Sequence, residues 1–169
     1  MEHNIPLPSK PKIVSEEEFT GTYEIDSLYP GYGHTLGNSL RRIILSSLPG
    51  AAIVSVKIEG VAHEFETIKG IKEDVITMLL NLKRVRLALS GDEPQIITLK
   101  IKGEKIVTAG DIQTPTQVSV LNPDQYICEL TDKKAELSIE MRVQKGLGFV
   151  PREALQEGKV EVGIVYASS

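Results

Sequence analysis

The residues with the most chemical potential sit together in residues 30–50, PGYGHTLGNSLRRIILSSLPG, where Gly31, Gly33 and Gly37 crowd the entry to a segment carrying adjacent Arg41 and Arg42. Glycines ahead of a helix can let backbone N–H groups close on an anion at the helix N-terminus. The spacing argues against that use. Neither GxGxxG nor GxxxxGK[ST] is present, and the arginines fall in the second turn, away from the first N–H groups. An enzyme binding a phosphorylated ligand between Gly31 and Asn38 is therefore the minor alternative. A tight turn with its glycines at positive φ, followed by a packed helix, explains the same residues. So does a two-faced helix that seats its apolar stripe on one partner and turns Asn38 and Arg42 to another.

Other reactive residues are more dispersed. His34 with Ser46 or Ser47 has the types of a nucleophile and base, but one helical segment cannot aim them at a common point and no GxSxG elbow exists. His63, between Ala62 and Glu64, suits a surface or a core hydrogen bond. Glu16, Glu17 and Glu18 read as a solvated run. Lys145-Gly146-Leu147-Gly148-Phe149 contains GxG after a strand and reads as a bulge or turn. One cysteine, Cys128, with the scattered His3, His34 and His63, supplies neither a disulfide nor a four-ligand zinc site, so no metal and no cofactor are expected.

The elements that must carry these groups follow from periodicity. Leu36, Leu40, Ile43, Ile44 and Leu48 fall on one stripe of a helix over residues 35–48, stopped by Pro49 and Gly50. A second helix is predicted near residues 72–84, with Ile71, Val75, Met78, Leu79 and Leu82 on one face, Glu73 and Asp74 in its first turn, and Lys83 and Arg84 in its last. Alternation marks strands at Val54, Val56 and Ile58, at Ile97, Leu99 and Ile101, and at Leu137, Ile139, Met141 and Val143. Turn residues separate them at Ser90-Gly91-Asp92, Lys102-Gly103-Glu104, Asn122-Pro123-Asp124 and Thr131-Asp132-Lys133. The order gives an α+β class, with a boundary at Pro49-Gly50.

Composition is consistent with this. The 169 residues are 41% hydrophobic and 25% charged, which excludes disorder throughout. A net charge of -4, from 19 basic and 23 acidic residues, argues against a free-standing nucleic-acid binder. The first 12 residues hold Pro6, Pro8 and Pro11 and no apolar run, unlike a signal peptide or anchor. No stretch approaches the ~20 apolar residues of a membrane span. A reducing, intracellular setting is the expectation.

Residues 30–50 resemble the signature of the bacterial-type RNA polymerase alpha subunit, N-terminal domain. The resemblance continues in order through AAIVSVKIEGVAHEFETIKGIKEDVITMLLNLK, VTAGDI, VLNPDQYICELTD and VQKGLGFVP. It implies an α+β fold in which residues 1–49 form the first half of a split dimerisation domain of strands and one long helix. Residues 50–165 would be a strand-rich insert domain with one helix, and residues 166–169 would begin the second half of the dimerisation domain. It further implies a non-catalytic assembly subunit in the bacterial cytoplasm, or a plastid, that meets nucleic acid only through the complex and no membrane. A second alpha chain pairs with it, and the beta and then the beta-prime subunits follow.

By the same resemblance, Leu36, Leu40, Ile43, Ile44 and Leu48 form the dimer face. Asn38, Arg41, Arg42 and the segment from His63 to Lys69 meet beta, while Lys83 and Val165 meet beta-prime. The chain departs from the family pattern at Lys145, Leu147 and Phe149, where arginine, arginine and tyrosine are usual, and at Tyr166, which replaces an acid. It also stops at Ser169, where the family continues. A truncated alpha fragment with impaired assembly is thus the alternative reading. The stripe on the first helix, with only short strands around Tyr23 and Ile25 to cover it, is expected to be partly exposed.

Overall fold

The structure, a computed structural model, describes residues 7–17, 20–150 and 164–166. The chain divides into two compact units, Met1–Leu45 and Ser46–Ser169.

In the first unit, β1 (Lys12–Glu17) and β2 (Thr20–Glu24) form an antiparallel hairpin whose register runs from Lys12 opposite Glu24 to Glu17 opposite Thr20. Every residue of both strands is exposed. Polar side chains tie the hairpin at its ends: Lys12 Nζ lies 2.5 Å from Asp26 Oδ2, and the Tyr23 hydroxyl donates to Glu16 Oε1 at 3.1 Å. The run of glutamates is thus partly a strand, with Glu18 outside the described residues. Helix α1 (Tyr32–Ser46) follows. It starts three residues before the predicted Thr35, because the turn that launches it closes between the Tyr29 carbonyl and the Tyr32 N–H at 2.9 Å. Of the three entry glycines only Gly31 takes a positive φ, +85°; Gly33 and Gly37 are ordinary helical residues, so the expected glycine-rich turn shrinks to one position.

The second unit is built on strands β3 (Pro49–Ile58), β4 (Leu87–Leu89), β5 (Gln95–Lys102), β6 (Lys105–Thr108), β7 (Val118–Val120), β8 (Tyr126–Leu130), β9 (Glu136–Leu147) and β10 (Ile164–Tyr166), with helix α2 (Val75–Leu82) after β3. The main sheet runs β5-β9-β3-β4-β7, with β10 also on β3, and β6 pairs with β8 separately. All pairings are antiparallel, which confirms the α+β class. The predicted alternation in β5 and β9 holds: Ile97, Leu99, Leu137, Ile139, Met141 and Val143 are at most 3% exposed.

In β3 the alternation breaks. A register shift between Ile53 and Ser55 turns Ile53 into the core beside Val56 and Ile58, while Val54 lines a separate cavity with Leu48, Gly50 and Gly146. A bulge of this kind adds a residue to one strand and swaps the faces on either side. The GxG segment is likewise no turn at its start. Lys145, Gly146 and Leu147 continue β9 opposite Ala51, Gly50 and Pro49, and the chain leaves the strand only at Gly148, with φ +62°.

Helix α2 closes the core with Val75 and Met78 at 0% and Leu82 at 1% exposure. It is shorter than the predicted 72–84. Asp74 is its N-cap, accepting from the Thr77 N–H at 2.8 Å, and Lys83 is its C-cap. Glu73, expected in the first turn, lies before the cap. A carboxylate oxygen on the free N–H groups of the first turn is what ends the helix there.

Candidate functional site

Helix α1 presents the first candidate surface. Leu36 is half-buried, but Leu40, Ile43, Ile44 and Leu45 are 45–61% exposed, and no residue of the helix is buried. Leu48, expected on the same stripe, lies past the helix end and is also exposed. Asn38, Arg41 and Arg42 are exposed on the remaining circumference. A helix with an apolar stripe in the open and a polar flank beside it has the composition of an interface before its partner is present. Catalysis fits poorly here. His34 and Ser46 stand about 18 Å apart along the axis at 1.5 Å per residue, and the Ser46 and Ser47 hydroxyls face each other at 3.1 Å. Nothing lies within 4 Å of where a Cβ would stand on Gly31, Gly33 or Gly37, so these glycines line no cradle for a phosphate.

The second candidate lies between β3 and α2. Glu66 organises it. Its Oε2 accepts from the Ala62 N–H at 3.3 Å, its Oε1 lies 3.2 Å from His63 Nε2, and its carbonyl accepts from the Val75 N–H at 3.2 Å. Around this residue the segment folds tightly enough to hold Phe65 outward, 76% exposed, with the His63 ring tilted against it at 6.4 Å between centroids. Lys69 is exposed. The far end of the segment is sewn to β8: Thr131 N–H donates to the Gly70 carbonyl at 2.8 Å, Lys72 N–H to the Glu129 carbonyl at 3.0 Å, and Lys72 Nζ lies 2.7 Å from Glu129 Oε2. That last bond, and the Glu129 charge, hold the Lys72 ammonium above its usual pKa. Gly70, at φ +82°, approaches so closely that a Cβ would stand 3.0 Å from Ala135 Cβ and 3.1 Å from Asp132 Cβ.

The two residues assigned to beta-prime differ in access. Lys83 is exposed at the α2 C-cap, its N–H donating to the Asn81 and Leu79 carbonyls, and with Arg86 it borders a groove floored by Ala51, Ile53, Val85 and Leu87. Val165 is 7% exposed in β10, opposite Val56 of β3, so its side chain belongs to the core. Cys128 is fully buried in β8, and burial pushes its thiol up to about 12, which keeps it an inert core residue. Among the described residues no group of three or more His, Cys, Asp or Glu is arranged to hold a metal, and no helix is long and apolar enough to cross a membrane.

Sequence reasoning missed Glu66 as the centre of its segment, and it missed the pairing of Glu73 with Tyr126 and Glu129. For Glu66 a signal existed: a carboxylate three residues after a histidine in a segment with no apolar period.

Comparison with known proteins bears on the whole chain. The family model for the RNA polymerase Rpb3/RpoA insert domain matches residues 56–167. The chain is 45% identical over 166 residues to the DNA-directed RNA polymerase subunit alpha of Roseiflexus sp. (strain RS-1), covering 96% of this chain and 51% of that protein. The corresponding subunit of Symbiobacterium thermophilum is 48% identical over 164 residues, covering 95% and 52%. That of Lawsonia intracellularis is 52% identical over 149 residues, covering 88% and 43%. The chain spans about half the length of the curated relatives it matches.

Proposed function

The chain belongs to the RNA polymerase Rpb3/RpoA insert-domain family, and from that premise we propose that it acts as an alpha-type assembly subunit of a bacterial DNA-dependent RNA polymerase. It contributes no catalytic group of its own. It pairs with a second copy through the α1 stripe, takes up the beta subunit on Asn38, Arg41, Arg42 and the His63 to Lys69 segment, and takes up beta-prime near Lys83. Residues 1–49 serve dimerisation and residues 50–165 form the insert, with Val165 acting through the position of β10. The protein works in the cytoplasm, and nucleic acid reaches it only through the assembled enzyme.

The observation that carries this reading is the exposed stripe of α1. Three large apolar side chains of that stripe, Leu40, Ile43 and Ile44, at 45–59% exposure leave a surface that a second protein surface stabilises by removing it from water. Arginine beside such a stripe suits a bidentate contact with a partner carboxylate.

Co-purification tests it. Arg42→Ala should leave the fold intact and weaken capture of beta by about 2 kcal/mol or more, as expected when an interface charge is truncated. Lys83→Ala should leave the beta complex intact and weaken the later capture of beta-prime. Parent-level capture of both subunits by both variants would sink the assignment.

A further inference from the structure

Residues 59–74 join β3 to α2 without regular secondary structure. Loops this long within a compact unit are uncommon and are generally functional, so what gives this one a fixed shape is a functional question. Its two halves are tied differently. The first half, beyond the Glu59 N–H that donates to the Ser138 carbonyl of β9, is tied to itself and to the start of α2, through Glu66. The second half is tied across the chain to β8.

At the junction of loop and helix stands Glu73, half-buried, whose two carboxylate oxygens serve two different donors of one strand. Oε1 accepts from the Tyr126 hydroxyl, and Oε2 accepts from the Glu129 N–H at 2.8 Å. These are charge-assisted bonds, the stronger kind, and together they fix both the position and the rotation of the carboxylate. Burial of the phenol, then its bond to Glu73 and the nearby charge, raise the Tyr126 pKa, so the hydroxyl stays a donor throughout the neutral range. Helix stability does not require Glu73 for capping, because Asp74 already caps α2. The Glu73 bonds connect the end of the loop to a strand 53 residues away in sequence.

We infer that Glu73 is the positioning residue of the 61–72 loop: by bridging Tyr126 and the Glu129 N–H it sets the conformation in which His63 and Phe65 are presented to a protein partner. The inference rests on the proposed reading of that segment as a face for the beta subunit. With the bridge intact, Lys72 is held in register with Glu129 and Gly70 is pressed on Asp132 and Ala135, so the Glu66-centred turn can adopt only one orientation. Without it, the loop end keeps only the bonds at Gly70 and Lys72 to the end of β8 and loosens while the sheet beneath stays folded.

The test uses the 169-residue chain, with Glu73→Ala, Glu73→Gln and Tyr126→Phe. Amide hydrogen exchange is followed at Glu66, Ile71 and Lys72 in the loop, and at Ile97, Leu99 and Met141 in the core. Capture of beta is measured on the same preparations. Glu73→Ala should speed the loop amides at least tenfold, leave the core amides within twofold, and weaken capture of beta at least tenfold. Tyr126→Phe should do the same to a smaller extent. Glu73→Gln, which keeps a carbonyl acceptor, should restore most of both. Loop rates within twofold of the parent in Glu73→Ala would overturn the positioning role. So would equal acceleration of loop and core, which is the mark of a residue serving global stability alone. Loop amides that speed up while beta is captured at parent strength would leave the bridge intact as a structural fact and overturn the presentation of this loop to beta.

Discussion

The two helices are written in the same sequence grammar and end in opposite states. Each carries four or five apolar residues at helical spacing, yet α2 buries Val75, Met78 and Leu82 to 1% exposure or less, while α1 buries nothing. The difference lies in what surrounds them. α2 sits against β8, inside a unit whose strands offer Val107, Ile127, Leu130 and Met141 as packing partners. Among the described residues, the other regular elements of the unit holding α1 are the two strands of a hairpin, exposed at every strand residue. An amphipathic period states that a helix will be covered on one side; it does not state by what. Where the same chain supplies the cover, the stripe is a core, and where it does not, the stripe stays open, as the proposed pairing with a second copy requires.

The largest effect that would sharpen this contrast is on α2. Leu82→Ala removes a side chain that is 1% exposed and should cost about 2–5 kcal/mol in urea unfolding, since the surrounding sheet cannot collapse into the space. A loss under about 1 kcal/mol would mean that α2 is not the closed core element described. Next is Gly70→Ala, at the point where the loop meets the 132–135 turn. It meets both a positive φ and Cβ neighbours at 3.0–3.1 Å and should cost about 1–3 kcal/mol. An unchanged unfolding midpoint would show that the loop does not press on that turn.

These residues also mark what was legible in the sequence. Buried positions of β5, β9 and α2 could be read because a local period of two or 3.6 is imposed by the core itself. The bulge in β3 could not, because Ile53, Val54 and Val56 are all apolar and only the pairing with β9 decides which of them turns inward. The start of α1 was misplaced by the glycines, whose propensity argues against helix while the turn closed at Tyr29 admits it. The surface residues were named from resemblance, and their spacing carried the α1 stripe alone. The buttress of the 61–72 loop was invisible, since Glu73 and Tyr126 are far apart in sequence and neither belongs to a periodic pattern.

A smaller effect concerns the cap that ends α2. Hydrogen bonds from the Thr77 side chain and N–H hold the Asp74 carboxyl below its usual value of 3.8. Because the folded pKa is the lower one, the stabilisation is present above about 3.8 and is lost as pH falls through the folded value. Acidification over that window should therefore lower the protection of the Thr77 amide, its exchange rising relative to the intrinsic rate at the same pH. Asp74→Asn, which keeps the cap without the titration, should flatten the profile. A Thr77 rate with the same acid dependence in both proteins would remove Asp74 from the account.

The smallest effect on stability falls on α1, and it is the one that decides between the two helices. Ile43→Ala at 53% exposure should change the unfolding free energy of the dilute chain by no more than about 0.5 kcal/mol, as for other surface substitutions. Under the proposed function the same change should weaken self-association, because the side chain meets a second copy and not its own core. Sedimentation over a concentration series separates the two readings, with the parent shifting toward dimer and Ile43→Ala lagging behind it. Amide exchange follows the same logic: protection of Leu40, Ile43 and Ile44 should rise with concentration in the parent, while that of Met78 and Leu82 should not. Concentration-independent protection of α1 in a demonstrated monomer, or a loss of several kcal/mol in dilute Ile43→Ala, would mean that α1 has a cover within its own chain. The contrast between the helices would then be one of degree, and the exposed stripe would no longer support an interface.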